Sequence, residues 1–168
     1  DAAVTGALVS KYRNAGQTCV CTNRILVQEG VLAEFTEKFV EAVKGLSLGN
    51  GLDEGTTIGP MITAQAANEV KQLISDSIKQ GATLVLGGET LGQNNTSGKT
   101  LGENFLQATI LTNVSNSMPI ACNEIFGPVS PIISFKEESE AIAIANDSEF
   151  GLASYFYSRD IGRIWLVA

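Results

Sequence analysis

No histidine occurs among the 168 residues. That absence removes Cys-His and Ser-His couples, histidine metal ligands and histidine general bases at once. Acid–base work falls to carboxylates, lysine, tyrosine or water. Cysteine is scarce and odd in number, with three thiols, so no disulfide framework of the secreted kind is expected. We expect a reduced, cytoplasmic setting and no metal centre. Basic residues are few, eleven Lys and Arg against eighteen Asp and Glu, for a net charge of -7. This balance argues against nucleic acid or an anionic membrane as partner. A small anion needs only one or two placed cations and stays admissible. No apolar run approaches the ~20 residues of a membrane helix.

What is present suits a single packed domain. Hydrophobic residues make up 44% and charged residues 17%, in a length that buries a sizeable core. Val4, Leu8 and Tyr12 recur at helical spacing and predict a helix over about 1–14, ended by Gly16. "RILVQ" (24–28) reads as a buried strand. Phe35, Phe39, Val43 and Leu46 line a second helix, and Val70, Leu73, Ile74 and Ile78 a third, closed by Gly81. Residues 47–60 are a glycine-rich loop and 87–104 a polar surface excursion. Strands are expected at 82–88, 105–114, 128–135 and 152–158, with a helix over 137–147. This alternation predicts an α/β three-layer sandwich, a mostly parallel sheet with helices on both faces. Both ends fall inside patterned sequence. The expectation is therefore a domain cut from a longer chain.

Two glycine-rich stretches resemble nucleotide loops and fail on spacing. "GNGLDEG" (49–55) is one residue too long for a dinucleotide fingerprint and follows a helix. "GQNNTSGKT" (92–100) has five residues between its glycines where a phosphate loop has four. Asn94, Asn95 and Asn113 stand in glycosylation sequons that a cytoplasmic protein leaves unmodified.

"NAGQTCVCTNR" (14–24) carries the chemistry. Taken alone, Cys19 reads as a small buried hydrophobe. Its neighbours Gly16, Gln17, Thr18, Thr22 and Asn23 point elsewhere. They set a thiol in a polar helix-to-strand loop, where Gly16 allows close backbone approach. The Gln17 amide and nearby backbone N–H groups are candidates to polarise a carbonyl. Cys21 stands two residues on. In extended chain the two thiols would share a side, with Cα atoms about 6–7 Å apart, at the edge of disulfide reach. Cys21 is thus either a redox partner that caps Cys19 or a core residue of the strand. Cys122 is taken as structural.

"GQTC" before an apolar strand and "NEIFGPV" (123–129) resemble the aldehyde dehydrogenase superfamily. "IGPMI" (58–62) and "NDSEFGLASYFYSRD" (146–160) fit the same pattern, so the likeness is ordered along essentially the whole chain. "KYRNAGQTCVCTNR" (11–24) most resembles its succinate-semialdehyde dehydrogenase branch. The resemblance implies a catalytic domain spanning 1–168, with the cofactor-binding domain, general base and an oxyanion-holding asparagine upstream of residue 1. It implies Cys19 as the nucleophile, forming a thiohemiacetal and then a thioester. It implies NAD or NADP as cofactor, with Glu124 on the nicotinamide ribose and Phe126 beside the ring. It implies Arg13, six residues before Cys19, as the clamp for the substrate's far carboxylate, a task that suits a forked guanidinium. Without the family, Arg13 is a helix-end charge, Glu124 a solvated carboxylate and Phe126 core. Asn123 departs from the acid common at that position. The parent is expected to be a homo-dimer or homo-tetramer, and the isolated segment inactive. The competing readings are a non-catalytic module that binds small carboxylates through Arg13, and an aldehyde dehydrogenase for another aldehyde.

Overall fold

The computed structural model describes residues 1–90 and 101–167. The expected phosphate-loop look-alike at 92–100, most of the polar excursion, and the sequons at Asn94 and Asn95 lie outside the described residues. Helix α1 spans Ala2–Tyr12 and passes into a 3-10 turn over Arg13–Gly16. Strand β1 (Ile25–Gln28) leads into α2 (Glu29–Lys44). After the loop come α3 (Ala64–Lys79) and the edge strand β2 (Thr83–Leu86). Then follow β3 (Thr109–Thr112), the single-turn α4 (Pro119–Cys122), β4 (Val129–Phe135), α5 (Glu138–Asn146) and α6 (Ile161–Val167).

The strands form a four-stranded sheet in the order β1-β4-β3-β2. β4 runs parallel to both β1 and β3, and only β2 pairs antiparallel, with β3. Adjacent strand residues alternate faces, which splits the apolar set into two cores. Ile110 and Ile132 face α1 and α2, where they meet Val4, Ala7, Tyr12, Phe39 and Val43. Leu111 and Ile133 face the other way, toward Ala67, Val70 and Ile74 of α3 and Ile120 of α4. The three-layer sandwich expected from the sequence is the fold observed. Among the described residues no helix is long and apolar enough to cross a membrane.

Local chemistry sets the boundaries. Thr63 caps α3 by accepting the Ala66 N–H at 3.0 Å. Gly81, at φ +108°, takes the left-handed turn between α3 and β2. The short helices α4 and α6 go beyond expectation, and one expected element is missing: residues 152–158 form no strand. Residues 152–157 lie exposed, and no described strand pairs with the segment. Aromatic and β-branched residues favour extended chain, but a strand also needs a ladder partner.

Candidate active site

The cysteine loop begins where α1 ends. Asn14, Ala15 and Gly16 all adopt left-handed backbone, with φ of 51°, 54° and 74°. Asparagine and glycine tolerate this region, but Ala15 carries strain there of order 1 kcal/mol or more. The turn is held by local bonds. Asn14 Nδ2 donates to the Gln17 carbonyl at 3.0 Å, and the Gln17 N–H donates to the Asn14 carbonyl at 3.1 Å. The chain then reverses, with the Cys21 N–H on the Thr18 carbonyl at 2.8 Å. Thr22 closes the loop onto α1, its N–H bonding the Ser10 carbonyl at 3.2 Å and its hydroxyl lying 2.8 Å from the Ser10 hydroxyl. Arg24 anchors the exit. Its guanidinium donates to Asn116 Oδ1 at 2.6 Å and to the α5 carbonyls of Ile144 and Ala145 at 2.8 and 3.1 Å.

Cys19 is exposed on this turn with a free thiol, so it is not the buried hydrophobe that a lone cysteine suggests. Cys21 is half-buried and free, its Sγ 3.8 Å from the Arg13 carbonyl. The two thiols lie in a tight turn, so the extended-chain geometry expected between them does not hold. Arg13 is exposed at the C-terminal end of α1. Gln17 has a different task from the one expected. Its Nε2 donates to the Asn14 and Pro60 carbonyls, each at 3.2 Å, and its Oε1 accepts the Ile62 N–H at 2.8 Å. The amide is spent on tying the cysteine turn to "IGPMI", not on a carbonyl ligand.

The second motif lies directly against the first. Gly16 packs on the Gly127 backbone so closely that a Cβ there would stand 2.2 Å from the Gly127 carbonyl oxygen. Gly127 is itself hemmed in by Val70 and Met61. Between these contacts Phe126 is 44% exposed and held at φ 48°, an uncommon backbone for an aromatic residue. Glu124 is exposed. Asn123 closes α4, its Nδ2 donating to the Pro119 carbonyl at 2.8 Å. A carboxylate at that position has no proton to give, which accounts locally for the amide. Cys122 is exposed, with Sγ 3.2 Å from the Asn116 carbonyl. Glu124 and Phe126 thus stand on a loop that abuts the cysteine turn.

Several neighbours escaped the reading of the sequence. Lys11 is only 1% exposed. Burial lowers its pKa from 10.5 to about 8, and the nearby Cys21 works the other way. The Tyr12 hydroxyl donates to the Thr109 carbonyl at 2.9 Å and accepts from the Ser130 hydroxyl at 2.9 Å. This joins the end of α1 to β3 and β4. Tyr155 donates to the Val20 carbonyl at 2.9 Å, bracing the peptide between the two cysteines. Each partner is remote in sequence, so local pattern gives no signal for it.

The architecture is that of an α/β sandwich domain with a loop cysteine exposed at the end of its first helix. The aldehyde dehydrogenase family model matches residues 1–168, and the chain belongs to that family. It is 49% identical over its whole length to the 3-sulfolactaldehyde dehydrogenase of Pseudomonas putida, covering 33% of that protein. It is 48% identical to the NADP(+) succinate-semialdehyde dehydrogenase of Escherichia coli, over 99% of this chain and 33% of that protein. Among solved structures, the succinate-semialdehyde dehydrogenase of Burkholderia pseudomallei superposes with a TM-score of 0.92 at 47% identity, over 99% of this chain and 33% of that one. The chain therefore spans about a third of the length of the relatives it matches.

Proposed function

We propose that residues 1–168 are the catalytic segment of an NAD(P)-dependent aldehyde dehydrogenase that oxidises succinic semialdehyde to succinate. The observation that carries this reading is the exposed Cys19 on a strained turn, with Arg13 at the adjoining helix end. The Cys19 thiolate adds to the aldehyde carbon, forming a C–S bond and a thiohemiacetal oxyanion. The Cys19 backbone N–H is the local donor for that oxyanion. Water then cleaves the Cys19 thioester, releasing the acid and returning the thiol.

The residues present suit a nicotinamide. Glu124 offers an exposed carboxylate to a ribose hydroxyl, and Phe126 an exposed ring face to a heteroaromatic ring. When bound, that group supplies acceptance of a hydride, the two-electron oxidation that separates thiohemiacetal from thioester. Substrate choice rests on Arg13. The similar proteins bear the names of aldehydes with an acidic group at the far end, 3-sulfolactaldehyde and the succinate and glutarate semialdehydes. An exposed guanidinium near the nucleophile meets that need. We assign the enzyme to a reducing, cytoplasmic compartment and to a homo-dimer or homo-tetramer. Cys21 is assigned as redox partner: peroxide oxidises Cys19 to a sulfenic acid, and the Cys21 thiolate displaces hydroxide to give a disulfide. Peptide mapping after peroxide treatment tests that bridge, and over-oxidised Cys19 without it rejects the assignment.

The decisive experiment compares Arg13→Ala with wild type in the enzyme that carries this segment, on succinic semialdehyde and on an uncharged aldehyde of similar length. Loss of one charged pairing predicts a KM for succinic semialdehyde raised about 10- to 100-fold, with the uncharged aldehyde nearly unaffected. Equal losses on both substrates reject the carboxylate clamp. Selective iodoacetamide labelling of Cys19 supports the nucleophile, whereas slow, equal labelling of all three cysteines favours a non-catalytic carboxylate-binding module.

A further inference from the structure

Asn23 lies four residues after Cys19 and immediately before the Arg24 anchor. Its side-chain amide reaches across to the second motif and bonds it twice. Nδ2 donates to the Asn123 carbonyl at 2.8 Å, and Oδ1 accepts the Ile125 N–H at 2.9 Å. A donor and an acceptor placed on residues two apart reproduce what a neighbouring strand would offer. The residue bracketed between those bonds is Glu124. On the far side of Phe126, Gly127 is buried against Gly16, Val70 and Met61. Residues 124–126 are therefore clamped at both ends, by Asn23 at 123 and 125 and by the Gly16 contact at 127. This clamp holds the backbone on both sides of Phe126, which sits at φ 48°.

We propose that Asn23 is a positioning residue that sets Glu124 and Phe126 relative to Cys19, so that a nicotinamide bound on the second loop is registered to the nucleophile on the first. The proposal rests on the reading above that Glu124 and Phe126 meet the cofactor. The amide is the chemical group the task needs. It gives one proton and accepts one, and both partners are backbone atoms. Aspartate would keep the acceptor for the Ile125 N–H and turn a second oxygen on the Asn123 carbonyl. Alanine removes both bonds. Because Asn23 also belongs to the cysteine loop, a merely structural tie would disturb both loops alike, whereas a positioning residue shifts cofactor binding selectively.

The test uses Asn23→Ala, Asn23→Asp and Glu124→Ala in the enzyme that carries this segment. The readouts are KM for the nicotinamide cofactor, KM for succinic semialdehyde, and the rate of Cys19 alkylation by iodoacetamide without cofactor. Asn23→Ala is expected to raise the cofactor KM about tenfold, with aldehyde KM and alkylation rate within about twofold of wild type. Asn23→Asp shifts the cofactor KM in the same direction. An unchanged cofactor KM in Asn23→Ala overturns the proposal, as does a parallel change in all three readouts. Failure of both Asn23 variants to fold also counts against it, since the residue is then a folding tie. Glu124→Ala separates the underlying reading: if it weakens cofactor binding and Asn23→Ala does not, only the proposal falls. If Glu124→Ala has no effect while Asn23→Ala does, the role of Glu124 falls and Asn23 acts through Phe126. If neither has an effect, both fall.

Discussion

Lys11 carries an amine into the interior at the end of α1, where only 1% of the residue meets solvent. Desolvation lowers its pKa from 10.5 to about 8, with Cys21 opposing the shift. The folded-state value lies below the unfolded one, so between about pH 8 and 10.5 the unfolded chain holds the extra proton. Stability from this group therefore rises with pH through that window and is lost as pH falls through about 8. A shift of this size corresponds to roughly 3 kcal/mol. Lys11→Met keeps the apolar stem and deletes the charge, so it should stabilise the fold at pH 7 by about 2–3 kcal/mol. The gap should narrow to below about 1 kcal/mol by pH 10. Tyr12, whose pKa burial raises, loses stability above its ordinary value, but it does so in both proteins and cancels in the comparison. Urea unfolding at pH 7 and pH 10 checks this. A difference that stays constant with pH would show that Lys11 does not titrate in the window.

At the scale of elements, the join between the cysteine turn and the "NEIFGPV" loop depends on one hydrogen atom. Gly16 sits at φ +74° with its backbone against Gly127, and an added Cβ would lie 2.2 Å from a carbonyl oxygen. Gly16→Ala should destabilise by roughly 3 kcal/mol, combining the left-handed penalty with a clash that backbone cannot relieve. Gly30 in α2 is the control: a methyl group added there would meet nothing within 4 Å, and alanine should be neutral or stabilising by up to about 1 kcal/mol. Thermal melts of the two variants report the contrast, and equal melting shifts would deny the close join. Helices α1, α2, α3 and α5 and strands β1 to β4 are legible in the sequence from their apolar patterning, whereas α6 is not. The single turn of α4 is too short to show a period, and 152–158 has strand composition without a strand partner. Within the candidate site, Cys19 stands out by local context and Arg13 only through the family resemblance. Gln17 and Asn23 do not, because their bonds reach 43–45 and 100–102 residues along the chain.

At the scale of the whole chain, the candidate site residues collect on two adjoining loops. Cys19 and Arg13 stand beyond α1, and Glu124 and Phe126 lie on the loop before β4, stitched to the cysteine turn by Asn23 and Gly16. The chain answers to about a third of the length of its relatives, and the proposed function calls for a general base and an oxyanion-holding asparagine outside residues 1–168. On the proposed function, nucleophile addition and thioester hydrolysis separate at this scale. The first needs Cys19 and a reachable carbonyl; the second needs a base to activate water, and the oxidation between them needs a bound nicotinamide. Residues 1–168 alone should react with iodoacetamide at the exposed Cys19 faster than at the half-buried Cys21, and faster than at Cys122, which is exposed but donates its thiol hydrogen to the Asn116 carbonyl at 3.2 Å. The same preparation should show no reduction of NAD or NADP with succinic semialdehyde, followed by nicotinamide absorbance. Turnover by this segment would mean that base and cofactor site both lie within it, and the division of labour between this domain and the rest of the enzyme would have to be redrawn.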